Sequence, residues 1–321
     1  MIFWVRGFFI FICFSCGPLL AVDRSHKAVV VISLDGVGYK QLEKIDPQFL
    51  RDKAVCSTVP PESSFTFPGH QTIATGKRFE SSDAQKLDCE KKDGPTDFLC
   101  SNSGDKLLVK PMWTKAAELG FDVQTYLWPN ASTAWHGIEH HKNKLYPPDQ
   151  LPKEISSPEV FAIALNALKN WDQKNKFFFM GYSYGLDKVG HATGPFSEKT
   201  RARWIELKSE MAQFQKAVGE LRQKENKVIE VIFVSDHGMI EVTKEGQTRG
   251  QHGIDPAREA AMNGVYWSNP QESSGCPVGM ENIAEKIWAR YKLKWSVERF
   301  GPRESGGIKS PGSAVPENEL R

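Results

Sequence analysis

Short, wholly apolar runs alternate along this chain with longer stretches in which apolar positions recur every three or four residues. Lys27 to Leu34 (KAVVVISL) is rich in β-branched residues and ends at Asp35-Gly36, which predicts a buried strand followed by a loop. Val123 to Trp128 stops at Pro129, Phe177 to Tyr182 is another apolar run, and Val228 to Val234 (VIEVIFV) leads into Ser235-Asp236-His237. Each predicts a further strand. Helical spacing covers Pro158 to Trp171 and Glu198 to Gln223, and Pro111 to Leu119 carries proline in its first turn. Tyr39 to Ala54 predicts a helix interrupted by Pro47. Apolar strands separated by helices predict an α/β fold, doubly wound, with a mostly parallel central sheet and helices on both faces. No repeat and no linker divides residues 22–300, which read as one domain. The tail 301–321, rich in Gly, Pro, Ser and Glu, reads as a flexible end.

The N-terminus changes the picture. Arg6, an apolar stretch from Gly7 to Leu20 and the small Ala21 form a signal-peptide pattern over residues 1–21, which places the mature protein outside the cell or in a periplasm. The apolar stretch is shorter than the roughly 20 residues a spanning helix needs, and no later run is longer, so no stable transmembrane span is expected after cleavage. Cys13 and Cys16 fall within the signal, leaving Cys56, Cys89, Cys100 and Cys276, an even set suited to disulfides, with Cys89 and Cys100 the first pair to consider. Asn130-Ala131-Ser132 has the form of a glycosylation acceptor. Of the 321 residues 40% are hydrophobic, enough for a large core, and the net charge of +2 gives no basic excess of the kind a nucleic-acid surface carries.

The candidate chemistry lies where the strands end. Asp35 follows the strand Lys27 to Leu34, Asp187 and His191 follow Phe177 to Tyr182 in GLDKVGHATGP, and Asp236 and His237 follow Val228 to Val234 in FVSDHGM. His252 comes shortly after, in GQHGIDP. Ligands of open α/β sheets bind beyond the carboxyl ends of the strands, so these side chains can converge. Three carboxylates and three imidazoles suit zinc or a similar ion, and are enough to hold two. Gly36, Gly38, Gly190, Gly238 and Gly253 are read as allowing tight turns that point the ligands inward. Thr66, in the loop of SSFTFPGHQTIATG ahead of a short helix, is the candidate nucleophile, since a bound ion would lower the pKa of its hydroxyl.

These motifs, in this order, resemble the nucleotide pyrophosphatase/phosphodiesterase branch of the alkaline phosphatase superfamily, over about Lys27 to Pro270. VVVISLDGVG, TFPGHQTIATG, PMWTKAAELGFDVQTYLWP, YSYGLDKVGHATGP and VIFVSDHGM carry the resemblance. It implies an alkaline phosphatase-like fold and a two-zinc enzyme that cleaves phosphodiesters through a phosphoryl-threonine on Thr66. Asp35, Thr66, Asp236 and His237 would hold one ion, and Asp187, His191 and His252 the other. The implied substrate is a small phosphoester, a nucleotide or a lipid-headgroup diester.

Three departures stand out. Gly69 occupies a position where the family often has asparagine. His252 follows His237 by only 15 residues where a longer insertion is usual, and KRFESSDAQ follows Gly76 in place of a Pro-Glu-Ser-His-Gly stretch. Two alternatives follow. One is a phosphomonoesterase or phosphonate hydrolase of the same superfamily, for which Lys77 and Lys188 would be the added positive groups. The other is a secreted binding protein that keeps the fold without the chemistry.

Overall fold

The computed structural model describes residues 27–62, 64–79, 107, 109–131, 142–144, 157–253, 260–270 and 275–298. The expected signal peptide, the tail and the proposed Cys89–Cys100 pair lie outside the described residues.

A seven-stranded sheet runs in the order β2-β9-β6-β1-β5-β3-β4. Its strands are β1 (Ala28–Leu34), β2 (Cys56–Thr58), β3 (Asp122–Tyr126), β4 (Lys142–Lys144), β5 (Phe177–Ser183), β6 (Ile229–Val234) and β9 (Gly264–Asn269). Pairing is parallel from β6 through β1, β5 and β3 to β4, whereas β9 runs antiparallel to both of its neighbours. The expected doubly wound sheet is thus present, with one antiparallel strand near its edge. β7 (Ile240–Lys244) and β8 (Gln247–Gln251) form a separate hairpin.

β1 explains why the sheet is covered twice, because every one of its residues is buried and alternate side chains enter different cores. Val30, Ile32 and Leu34 pack into a cluster with Val160, Ala164, Trp204, Met211 and Phe214. These come from helices α5 (Ser157–Asn170) and α7 (Glu198–Lys224). Val29 and Val31 face the opposite cluster, with Ile73, Trp113, Ile283 and Trp288. There the cover is α3 (Thr66–Thr75), α4 (Met112–Glu118) and α8 (Glu281–Ala289).

The predicted helix over 39–54 is two helices, α1 (Tyr39–Ile45) and α2 (Pro47–Asp52). Asp46 sits between them and caps α2 by accepting from Phe49 N, with Pro47 at the first helical position. Cys56 and Cys276 form a disulfide joining β2 to the segment before α8. Asn130 is fully buried and accepts a 2.6 Å hydrogen bond from Gln71 Nε2, so the folded chain does not present it to a glycan. Among the described residues no helix is long and apolar enough to cross a membrane.

Candidate metal centre

Each element of the site is a short extension of a strand end. Asp35 directly follows β1, and the turn beyond it needs Gly36 at φ 70°, where a Cβ would also lie 2.9 Å from Asp187 Cα. Asp236 and His237 follow β6 and are fully buried. Asp187 and His191 were expected in turns after β5. They lie instead on helix α6 (Gly185–Thr193), four residues apart and so one above the other on one face. His252 comes directly after β8, and the hairpin, packed against α6, brings it to the site. Thr66, expected in a loop, is the first residue of α3. Of the five glycines read as turn formers, only Gly36 and Gly253 have positive φ. Gly38, Gly190 and Gly238 serve close packing, as where a Cβ on Gly190 would meet Met239 Sδ at 2.7 Å.

All seven predicted site residues come together. His237 Nε2 lies 3.3 Å from Asp35 Oδ1 and 3.2 Å from Asp236 Oδ2. The Thr66 hydroxyl is 3.5 Å from Asp35 Oδ2 and 3.5 Å from His237 Nε2. On the other side, Asp187 Oδ2 is 3.4 Å from His191 Nε2, and Asp187 Oδ1 is 3.6 Å from His252 Nε2. The His237 and His252 rings are stacked with centroids 3.8 Å apart, which joins the two halves.

The three imidazoles share one arrangement. Each Nδ1 faces a backbone carbonyl: Gly238 O at 3.0 Å for His237, Gly250 O at 3.0 Å for His191 and Ser64 O at 2.9 Å for His252. A carbonyl only accepts, so each Nδ1 carries the hydrogen and each Nε2 offers its lone pair inward. Those lone pairs meet carboxylate oxygens that are acceptors too. Asp35 Oδ1, Asp187 Oδ1 and both Asp236 oxygens are buried and make no hydrogen bond among the described residues. Acceptors converging without donors are costly to bury unless a cation stands between them. Two groups have ligand atoms within 4.8 Å of one another, Asp187–His191–His252 and Asp35–Asp187–His237, so the donor set fits divalent ions.

The electrostatics agree with this fit. Burial, and then the neighbouring carboxylates Asp236 and Asp187, push Asp35 well above the usual carboxylate range. Asp236 is raised well above it by burial and Asp187, and burial brings Asp187 to about 6. Burial, then the neighbouring His252, holds His237 far below the ordinary imidazole range. Burial and His191 lower His252 to about 4.

Two residues of the site had not been expected. Tyr182 donates a 2.6 Å hydrogen bond to Asp35 Oδ2, which leaves Oδ1 to face inward. His70 is fully buried beneath Thr66 and Asp236. Its position in the TFPGH run, one helical turn after Thr66, was the signal available for it in the sequence. Gly69, the departure from asparagine, has a physical reason: a Cβ there would lie 2.8 Å from both Cβ and the backbone oxygen of Asp236. The missing side chain lets α3 press against the loop that bears Asp236 and His237.

Comparison with known proteins agrees with this geometry. The sequence profile of the family described as type I phosphodiesterase / nucleotide pyrophosphatase matches residues 29–311. An uncharacterized pyrophosphatase/phosphodiesterase of Schizosaccharomyces pombe is 27% identical over 230 residues, covering 67% of this chain. The chain spans 45% of that relative's length. Murine ectonucleotide pyrophosphatase/phosphodiesterase 5, as an inactive variant in complex with AMP, superposes with a TM-score of 0.65 at 14% identity, covering 84% of this chain and 96% of its own. The human counterpart gives 0.61 at 14% identity with the same coverage.

Proposed function

Because the chain belongs to the type I phosphodiesterase / nucleotide pyrophosphatase family, we propose that it is an exported two-zinc phosphodiesterase with Thr66 as its nucleophile. The observation that carries this reading is the convergence of unpartnered Asp35, Asp187 and Asp236 oxygens with three inward imidazole nitrogens, the Thr66 hydroxyl standing 3.5 Å from both Asp35 and His237. Asp35, Asp236, His237 and Thr66 are assigned to one ion, and Asp187, His191 and His252 to the other. Bound there, the ions would lower the pKa of the Thr66 hydroxyl and balance charge on the attacking and leaving oxygens.

The chain's own residues orient the rest. Tyr182 holds Asp35 by one oxygen. Thr66 begins α3, so the positive end of that helix lies where a phosphate anion would sit. Attack by Thr66 Oγ on phosphorus, with loss of its proton, breaks the bond to the leaving oxygen and forms a phosphoryl-threonine bearing the remaining substituent. Water then attacks phosphorus and releases Thr66. A nucleotide substrate is favoured by the AMP complex of the murine neighbour. Preference for diesters over monoesters follows the family's description; of the two lysines considered for the extra charge, Lys77 stands over the Phe79 ring at 5.1 Å and Lys188 lines a groove with Tyr184, Lys199 and Arg203 on the flank of α6. Export is supported by the Cys56–Cys276 disulfide, a bond of oxidising compartments.

The test is hydrolysis of bis-p-nitrophenyl phosphate against p-nitrophenyl phosphate by zinc-loaded protein, with a chelated control and Thr66→Ala. Faster diester cleavage, lost on chelation and reduced about a thousandfold or more in Thr66→Ala with metal binding largely retained through Asp35, Asp236 and His237, is expected. Faster monoester cleavage would overturn the diester assignment, and near-normal activity of Thr66→Ala would overturn the nucleophile. Metal binding without turnover of any ester would leave the binding-protein reading.

A further inference from the structure

His70 takes no part in the reaction as assigned, yet it touches three of the pieces that must be held in register. Its ring is fully buried. Nδ1 lies 2.7 Å from the carbonyl oxygen of Thr66, and Asp236 Oδ2 is 3.3 Å from the same nitrogen. Both neighbours are acceptors, so Nδ1 carries the hydrogen and donates it to Thr66 O. Nε2 is left to accept from the Ser33 hydroxyl at 2.8 Å. Ser33 belongs to β1, two residues before Asp35. Trp128 and Tyr182 meet the ring edge-on at 5.0 and 4.8 Å and fix its plane.

A single imidazole therefore ties the first turn of α3 to the strand that ends in Asp35 and lays it against Asp236. We propose that His70 is a positioning residue, which sets where the Thr66 hydroxyl stands relative to the Asp35 and Asp236 carboxylates. The inference rests on the reading of Thr66 as nucleophile. A ring that merely filled the core would do its work through volume. In this role the Nδ1 donor toward Thr66 O is what matters, and two amide variants separate the cases. The side-chain nitrogen of asparagine falls near the place of Nδ1, and that of glutamine nearer the place of Nε2.

His70→Asn and His70→Gln are compared with wild type as zinc-loaded full-length protein. Three quantities are read: kcat and KM on bis-p-nitrophenyl phosphate, zinc per chain, and amide hydrogen exchange across residues 64–70. His70→Gln is expected to lower kcat about tenfold to a hundredfold, the scale of an ångström-sized misplacement, with KM within about twofold. Its first-turn amides should exchange faster while zinc content stays at the wild-type value. His70→Asn should keep kcat within about threefold of wild type and keep first-turn protection, by restoring the donor. Equal behaviour of the two variants in both kcat and exchange would overturn the proposal, as would a loss of kcat that tracks lost zinc. If wild type cleaves no diester, the proposed function fails and the exchange arm alone decides for His70: selective deprotection in the glutamine variant supports the clamp, and equal protection sinks it. Should either variant be insoluble, Ser33→Ala deletes the ring's anchor and leaves the ring. It is then expected to cut kcat about threefold or more at unchanged zinc content, and a wild-type kcat would count against the role.

Discussion

The two halves of the metal centre are built differently. Asp35, Asp236 and His237 sit directly on the ends of central strands β1 and β6, with side chains at most 2% exposed. Asp187, His191 and His252 hang on a nine-residue helix and the end of a hairpin, and the His191 side chain is 43% exposed. The first half is part of the core. The second is peripheral, held by α6 and by backbone carbonyls at Gly250 and Ser64. A site assembled this way keeps the side that bears Thr66 in the core and offers the other side to solvent.

That contrast can be broken most directly by removing one ligand from each half. Asp236→Asn should lower zinc affinity by more than about a hundredfold, beyond the 10–100-fold that outer partners of a ligand cost, and take activity with it. His191→Ala should weaken zinc binding at the other half while leaving the first ion in place, as metal analysis after partial chelation would show. Without metal the order of stability should reverse. Asp236→Asn removes a carboxyl group whose burial raises its pKa and so costs stability near neutral pH, and the chelated variant should melt above chelated wild type, by about 2 °C per kcal/mol relieved. Chelated His191→Ala should melt close to wild type, and equal melting of both variants would erase the distinction.

A smaller effect is expected at the seam. Gly69→Asn restores the family's usual residue but places a Cβ 2.8 Å from Asp236. It should shift α3 away from the buried half and cost about tenfold to a hundredfold in activity. Activity at or above wild type would mean that the Asp236 loop can yield. The mildest test is pH. In the metal-free protein Asp187 holds a proton below about 6, which an incoming ion must displace, and above that pH no proton stands in the way. Zinc affinity of the peripheral half should therefore fall by at least about tenfold per pH unit below about 6, measured by chelator competition, and the slope should be shallower by about one proton in Asp187→Asn, where only the imidazole ligands still compete with protons.

Strand ends could be read from the sequence because β1, β5 and β6 are buried on both faces, and the polar residues that interrupt such runs stand out. Asp35, Asp187, His191, Asp236 and His237 followed from those interruptions, whereas Thr66 and His252 were read from the runs TFPGH and GQHGIDP. Helix α6 was not legible. It is short, contains Gly185 and Gly190, and is held by contact with the hairpin and α7 more than by its own propensity. The hairpin itself is mostly exposed and lacks a strong apolar alternation. Edge strand β2 and its neighbour β9 owe their places to pairing far apart in sequence, Cys56 opposite Tyr266. His70 was missed because its role depends on Ser33 and Asp236, which only the folded sheet brings to it.

The disulfide between Cys56 and Cys276 encloses most of the described chain, with a sequence separation of 220 residues. A protease that cuts the backbone once anywhere between those two cysteines would produce fragments that still travel as one molecule. The nicked protein would keep its mass in a non-reducing gel and fall into two bands only after a thiol is added. Damage to a surface segment and loss of the enzyme would then be separate events, with the second waiting on a reductant, which oxidising compartments rarely supply.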